Sequence, residues 1–394
     1  MPRLYFDQAA TTPLDPRVAA AIRTAAQEFV GNPSSLHTDG RAARSAVEHA
    51  RAQVAALINA APEEIVFTAS GTEADNFALF GAVAELAPSG VRLVTSAIEH
   101  PAVHETCRHL GRQGATVDSL PVDSEGVVQP EFLADALATP AQLVSAMEAN
   151  NIVGAIEPIQ ELSTIARERS ALFHTDAVQA AGHIPIDVRT TPIDLLSLSA
   201  HKLNGPKGIG ALYVRSGVAM HPVVHGGGQE RGLRSATENV AGIVGFGMAA
   251  EIAKAEMAHD AARLVTLRDH LIDGVLARIP GAYLLGPRYR RLPGHVCLAF
   301  AGHEGEAIKL LLALDEAGVA VSTGSACSAS HRSQPSHVLR AMGFDPFRAR
   351  GALRATLGRF NTAAEVDQFL QLLPPLVSSL GSITTLRTSP SNER

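Results

Sequence analysis

Lys202 sits in SLSAHKLNGPKGIGALYV, residues 197–214, with Ser199 and His201 just before or beside it and the Asn204, Gly205, Pro206 turn just after. A hydroxyl, an imidazole and an amine on one turn can bind a phosphate and manage protons. A lysine held away from water can also lose its proton and attack an aldehyde as a Schiff-base amine. Asp176 ends the stretch ALFHTD, 26 positions before Lys202. Alone, an aspartate there reads as a helix N-cap, and a lysine in a Gly/Pro turn reads as a solvated surface group. At the ends of two neighbouring strands the two form the pair that pyridoxal phosphate demands. The carboxylate keeps the pyridine nitrogen protonated so that the ring acts as an electron sink, and the lysine carries the ring as an imine.

Other groups converge on the same chemistry. EEIVFTASGTEADNFALF gives a strand at Ile65–Thr68, a small-residue turn, and a helix from about Glu73. Unpaired N–H groups and the helix dipole at such a start favour an anion, so Gly71 and Thr72 are candidates to face a phosphate, although Thr72 also suits a plain N-cap. His100 closes VRLVTSAIEH, read as a strand over 91–100, and Asn151 follows the strand pattern AQLVSAMEA. Cys327 lies in VSTGSACSASHRSQPSHVL, where small and hydroxyl residues leave little to bury. An exposed, mobile loop over 322–335 with an accessible thiol is expected there. Cys107 and Cys297 lie in a helical and an apolar stretch and read as buried thiols. No C-x-x-C pair or suitably spaced histidine suggests a metal site, and none is expected. HGGG at 225–228 lacks the G-x-S-x-G partner of a lipase loop, GPKGIG at 205–210 precedes a strand rather than a helix, and His104 and His109 are not spaced as a ligand pair.

These groups need a scaffold that brings strand ends together. Helical patterns at 16–28, 41–57, 103–113, 132–138 and 159–169 alternate with apolar strands, which argues for a mostly parallel sheet covered by helices on both faces. Ligands in such sheets bind beyond the carboxyl ends of the strands, where His100, Asn151, Asp176 and Lys202 all fall. A polar, Gly-rich segment, 226–239, precedes an apolar helix at Val240–Met248 and could reach beyond its own subunit. With 394 residues, 46% hydrophobic and 18% charged, the chain fits a large domain plus a smaller one. A net charge of −6 argues against nucleic acid as a direct partner. No run of eighteen apolar residues and no apolar leader after MPRLYFDQAATTP is present, so no membrane partner and a cytoplasmic location are expected.

Taken together, the chain resembles the cysteine desulfurases of the group I, NifS/IscS-like type, among the class V aminotransferase-like pyridoxal-phosphate enzymes. The resemblance runs from YFDQAATTPLDPRV (5–18) through GNPSSLH, FTASGTEADN, TSAIEHPAV, the Asn pair of EANNIVG, HTDAVQAAG, SAHKLNGPKGIGALYV, HGGGQERGLRSATEN and VSTGSACSAS to RATLGRF (354–360). It implies an α/β, fold type I architecture: a large domain (13–258) with a mostly parallel seven-stranded sheet flanked by helices, and a smaller α+β domain (1–12 and 259–394) carrying the cysteine loop. By the same resemblance Lys202 carries pyridoxal 5'-phosphate, Asp176 pairs with its ring nitrogen, and Gln179 and Asn151 lie near its ring oxygen. His100 stacks on the ring and transfers protons. Gly71, Thr72, Ser199 and His201 are phosphate ligands, joined by Thr237 from the other subunit of a homodimer. Arg354 grips the carboxylate of L-cysteine, Asn151 also lies at the substrate, and Cys327 takes the sulfur as a persulfide. A sulfur-acceptor protein, an iron–sulfur scaffold or another sulfurtransferase, is the implied partner, and iron–sulfur cluster assembly or thiolation of cofactors or tRNA is the implied use. Selenocysteine lyase or another class V activity, and a non-catalytic sulfur carrier, are the alternatives. The chain departs from the family pattern at Ile152, where an acidic residue is usual, and at Glu148, where an aromatic or histidine is usual.

Overall fold

The computed structural model describes residues 3–86, 90–324 and 335–385. In chain order the elements begin with β1 (Leu4–Tyr5), α1 (Pro16–Glu28), α2 (Thr38–Leu57), β2 (Ile65–Thr68), α3 (Gly71–Leu86), β3 (Arg92–Ser96), α4 (Pro101–Arg112), β4 (Thr116–Leu120) and α5 (Pro130–Ala136). They continue with β5 (Leu143–Ser145), α6 (Ile159–Glu168), β6 (Leu172–Asp176), β7 (Leu195–Ser199), β8 (Gly210–Val214) and α7 (Val240–Arg278). The remainder comprises β9 (Ala282–Leu284), β10 (His295–Phe300), α8 (Ala307–Glu316), β11 (Val319–Ala320), β12 (Ser322–Thr323), α9 (His337–Ala341), β13 (Leu353–Thr356) and α10 (Ala363–Thr385).

Seven strands form one sheet in the order β2-β8-β7-β6-β5-β3-β4. Only β8 runs against its neighbours; the pairs from β7 to β4 are parallel. β7 and β8 are buried at every position, as strands covered on both faces must be. The fold is therefore the α/β, fold type I architecture with a mostly parallel seven-stranded sheet. A second, antiparallel sheet has the order β12-β13-β10-β9, and β1 pairs in parallel with β11.

Local chemistry moved several boundaries. The strand expected over 91–100 stops at Ser96; Pro101 occupies the first turn of α4, and His100 becomes its N-cap, with its ring Nδ1 accepting from the Ala102 N–H. α3 begins at Gly71 instead of Glu73, because the Ser70 hydroxyl accepts from the Glu73 N–H, which shifts the cap back. The helix expected over 240–248 continues for 39 residues. Its first half buries Ile243, Phe246 and Ala250 in the core of the large sheet, and its second half buries Leu264, Leu271 and Val275 beside the small one. The boundary expected at 258/259 thus falls inside α7.

The Gly-rich segment before α7 is fixed by one buried ion pair. Arg51 of α2 donates from both terminal nitrogens to Glu230, at 2.7 and 2.9 Å, and lies 4.8 Å over the Phe67 ring. Glu230 also accepts from the Phe67 N–H, so β2, α2 and the segment meet at one carboxylate. Glu230 and Arg231 both adopt left-handed backbone angles to reach it. Both side chains of the pair are about fully enclosed, and removing one strands a charge. Glu230→Ala is expected to lower folding stability by about 3–5 kcal/mol, read by chemical denaturation, whereas Glu48→Ala, on the exposed side of Arg51, should cost under about 1 kcal/mol.

Candidate active site

Period-two alternation along β6 puts His174 and Asp176 on the same side, and the ends of β3, β5, β6 and β7 carry the remaining groups together. Asp176 is buried at the last position of β6 and its Oδ1 accepts from the Val178 N–H at 2.9 Å. Burial raises its pKa, while that N–H and the Lys202 charge draw it down. Lys202 follows β7 on a short 3-10 turn. Its Nζ donates to the Ala9 carbonyl and, at 2.9 Å, to the Ala10 carbonyl, and Gln179 Nε2 donates to Ala9 at 2.9 Å as well. The segment YFDQAATTP thus passes beside the lysine. Thr12 fastens it by accepting the Asn204 N–H and donating to the His201 carbonyl.

His100 is brought to the same place. Atoms of Asp75, His100 and Asp176 lie within 4.8 Å of one another. Burial, then the nearby Lys202 charge, then His337, push the His100 imidazole down to about 4, so it is neutral and able to take a proton. His201, half-buried against the Thr11 hydroxyl, is pushed down to about 4, first by burial. Ser199 is buried and its Oγ has no hydrogen-bond partner. It stands against the start of α3: a Cβ added at Gly71 would lie 2.7 Å from the Val178 side chain and 3.3 Å from Ser199 Cβ. Only glycine lets the helix come so near. Thr72 is exposed beside it. A buried unpartnered hydroxyl beside a helix start suits a phosphate, and a buried carboxylate facing a lysine suits a pyridine ring, so the residues present fit pyridoxal phosphate.

Asn150 shapes the turn that presents Asn151, accepting from the Ile152 and Val153 N–H groups. Arg354 of β13 lies within this turn's reach. Its Nη1 donates to the Asn151 carbonyl at 2.9 Å, its Nη2 to Asp7 at 2.9 Å, and its buried Nε has no partner. Thr237 is exposed, and among the described residues it makes no hydrogen bond to the others. Cys327 lies outside the described residues. Of the departures, Ile152 is buried and near the root of that segment, 3.3 Å from where a Gly324 Cβ would stand. Glu148 is buried with an unpartnered Oε2, and burial pushes its carboxyl up to about 7.

Sequence reasoning missed Asp7, Asp75, Glu99 and His174. Asp75 could have been found from Gly71, one helical turn earlier and on the same face, and His174 from Asp176 by strand alternation. Glu99 is fully enclosed, accepts from the Ser96 hydroxyl and the Met147 N–H, and is pushed up to about 8 by burial. Glu157 is likewise pushed up to about 8.

These shifts fix how stability varies with pH. Folded Glu99, Glu148 and Glu157 hold protons that the unfolded chain gives up above its ordinary glutamate value, so their contribution is lost as pH rises toward 7–8. His100, His174 and His201 are depressed to about 4, 3 and 4, so their contribution is lost as pH falls below the ordinary histidine value. The two trends offset each other between about pH 4.5 and 6.5, so stability is expected to be level there, with the thermal midpoint falling toward pH ~8. Glu99→Gln should flatten that fall; a midpoint that rises over this window contradicts buried neutral acids.

The chain matches the family model described as aminotransferase class-V over residues 4–369. It is 49% identical to the cysteine desulfurase IscS of Dictyoglomus turgidum, with 97% of this chain and 96% of the relative covered. It is 50% identical to a cysteine desulfurase of Cereibacter sphaeroides, with 98% of each covered. A solved NifS-like protein superposes with a TM-score of 0.89 at 40% identity, covering 96% of this chain and all of that one. SspA in complex with cysteine superposes with a TM-score of 0.79 at 33% identity, covering 91% of this chain and all of that one.

Proposed function

Since the chain belongs to the class V aminotransferase family and, within it, to the cysteine desulfurases, we infer that it is a pyridoxal-phosphate enzyme that takes sulfur from L-cysteine and releases L-alanine. The observation that carries this reading is the meeting of Lys202, Asp176 and unpartnered Ser199 at the strand ends and the start of α3. Lys202 would anchor the cofactor, with Asp176 at its ring nitrogen, Gln179 and Asn151 near its ring oxygen, and Gly71, Thr72, Ser199 and His201 about its phosphate. Thr237 would complete the phosphate site from the second subunit of a homodimer. When bound, the cofactor supplies an electron sink that makes the substrate's α-proton acidic and its C–S bond breakable.

The protein's own groups do the rest. The Lys202 amine takes the α-proton, and neutral His100 takes or returns a second one. The Cys327 thiolate attacks the substrate sulfur; the S–S bond forms as the C–S bond breaks, the carbon fragment gains a proton, and a persulfide stays on the enzyme. Arg354 binds the substrate carboxylate, its unpartnered Nε offering a donor beside Nη2 for a two-pronged grip. Arg354→Ala is expected to lower kcat/KM about 10–150-fold, the equivalent of about 1.5–3 kcal/mol, mainly through KM. Arg354→Lys should restore little, because a point charge lacks the fork. An unchanged KM for cysteine argues against the assignment.

An acceptor protein collecting the persulfide sulfur, and a cytoplasmic location, complete the reading. Among the described residues no helix is long and apolar enough to cross a membrane. The direct test is to add L-cysteine to the pyridoxal-phosphate-loaded protein. The visible absorption should shift, and alanine and protein-bound sulfur should appear in equal amounts; alanine without bound sulfur would leave the persulfide step unsupported.

A further inference from the structure

We propose that Asp75 is a positioning residue for the cofactor site, a carboxylic acid that stays protonated and so leaves Asp176 as the one anion facing the ring nitrogen. The proposal rests on the pyridoxal-phosphate reading above. Asp75 lies on the buried face of α3, 1% exposed, and its Oδ1 has no hydrogen-bond partner. Its carboxyl, that of Asp176 and the His100 ring have atoms within 4.8 Å of one another. Two carboxylates so close in a dry site do not both ionise unless a cation stands between them.

The groups facing Asp75 from each neighbouring element supply no such cation. From β6 comes His174, whose Nε2 is 3.7 Å from Asp75 Oδ1. That ring is engaged at both nitrogens, Nδ1 with Ser145 Oγ at 2.8 Å and Nε2 with Ser197 Oγ at 3.1 Å, and burial keeps it neutral. From the start of α4 comes His100, also neutral, and beside it Glu99, another enclosed acid. From β7 comes the uncharged Ser197 hydroxyl, and beyond it Lys202, whose amine is committed to the cofactor. Three acids thus share one lysine. Asp176 has the Val178 N–H to stabilise a negative charge, whereas Asp75 has only the weaker Ser197 hydroxyl and its Oδ1 has no partner, so the proton belongs on Asp75. Burial, then the charge of Asp176, raise the Asp75 pKa, and the Ser197 hydroxyl, which lowers it, does not offset them.

The test compares pyridoxal-phosphate-loaded wild type, Asp75→Asn and Asp75→Ala in two measurements without turnover: the pH midpoint of the lysine–cofactor absorption band, and the dissociation constant of the cofactor. Asparagine copies a neutral acid, so its midpoint should stay within about 0.3 pH unit of wild type and its cofactor affinity should match. Alanine should weaken cofactor binding by about tenfold, the equivalent of one pKa unit. A midpoint in Asp75→Asn displaced by about a unit or more would mean that Asp75 carries charge in the wild type and overturns the proposal. So does an alanine variant that behaves as wild type in both measurements. If Asp75→Ala does not fold, the asparagine titration decides alone. Failure of the underlying reading looks different: wild type itself would acquire no absorption band, or Lys202→Ala would acquire the same one.

Discussion

Lys202→Ala is expected to fold and to release no alanine from cysteine, a loss of at least about 10⁴-fold at the upper end of what proton transfer by one side chain provides. On the proposed mechanism the amine has two duties, anchoring the cofactor and taking the α-proton, and alanine does neither. Folding should survive because the Ala9 carbonyl that the amine meets keeps its hydrogen bond from Gln179. Lys202→Arg should be as inactive, since a guanidinium does not shed its proton at any working pH. Circular dichroism would establish the fold and an alanine assay the loss. Normal alanine release by either variant would remove the lysine from the mechanism.

Cys327→Ser is expected to bind cysteine and shift the cofactor absorption as wild type does, yet to accumulate no persulfide and to stop turning over. The two other cysteines cannot substitute. Cys107 and Cys297 are buried, and burial pushes their thiols up to about 12 and 11, far from the thiolate form that attacks sulfur. Cys297 also stands opposite Arg354 in the strand register, on the fully buried strand β10. Labelling with radioactive sulfur from cysteine, followed by non-reducing separation, reads the outcome. Sulfur bound to the serine variant at the wild-type level would place the acceptor elsewhere.

What the sequence disclosed follows from how local the signals are. Strands β2 and β8 and helix α1 have the expected limits because their apolar patterns and flanking turns lie within a few residues. Lys202, Asp176 and His100 could be grouped because a parallel sheet gathers its strand ends on one edge. Asp7 could not be paired with Arg354, 347 positions later, because no local pattern carries a contact of that separation. Asp75 read as one of several polar residues in the first turns of a helix; its neighbours Glu73 and Asn76 are partly exposed, and only packing shows which of the three turns inward. The buried acids Glu99, Glu148 and Glu157 escape for a related reason, since acidic residues are rarely enclosed without a partner.

The segment beside Lys202 also bears on how the enzyme is made. Leu4 and Tyr5 pair with Val319 and Ala320, the Phe6 carbonyl accepts from the Thr356 N–H at 2.7 Å, and the Ala9 N–H donates to the Thr356 hydroxyl at 2.9 Å. On the ribosome, residue 9 therefore waits for residue 356, an interval of roughly 17–70 s at ordinary elongation speeds. The large sheet can pair during that wait, because its last strand ends at Val214. Until then Thr12 and Gln179 hold the segment that meets the Lys202 amine, and its Thr356 contacts come last, so a product truncated before residue 356 carries the sheet without a finished active site. Contacts of such sequence separation also slow folding, which exposes the young enzyme longest at the residues it needs most.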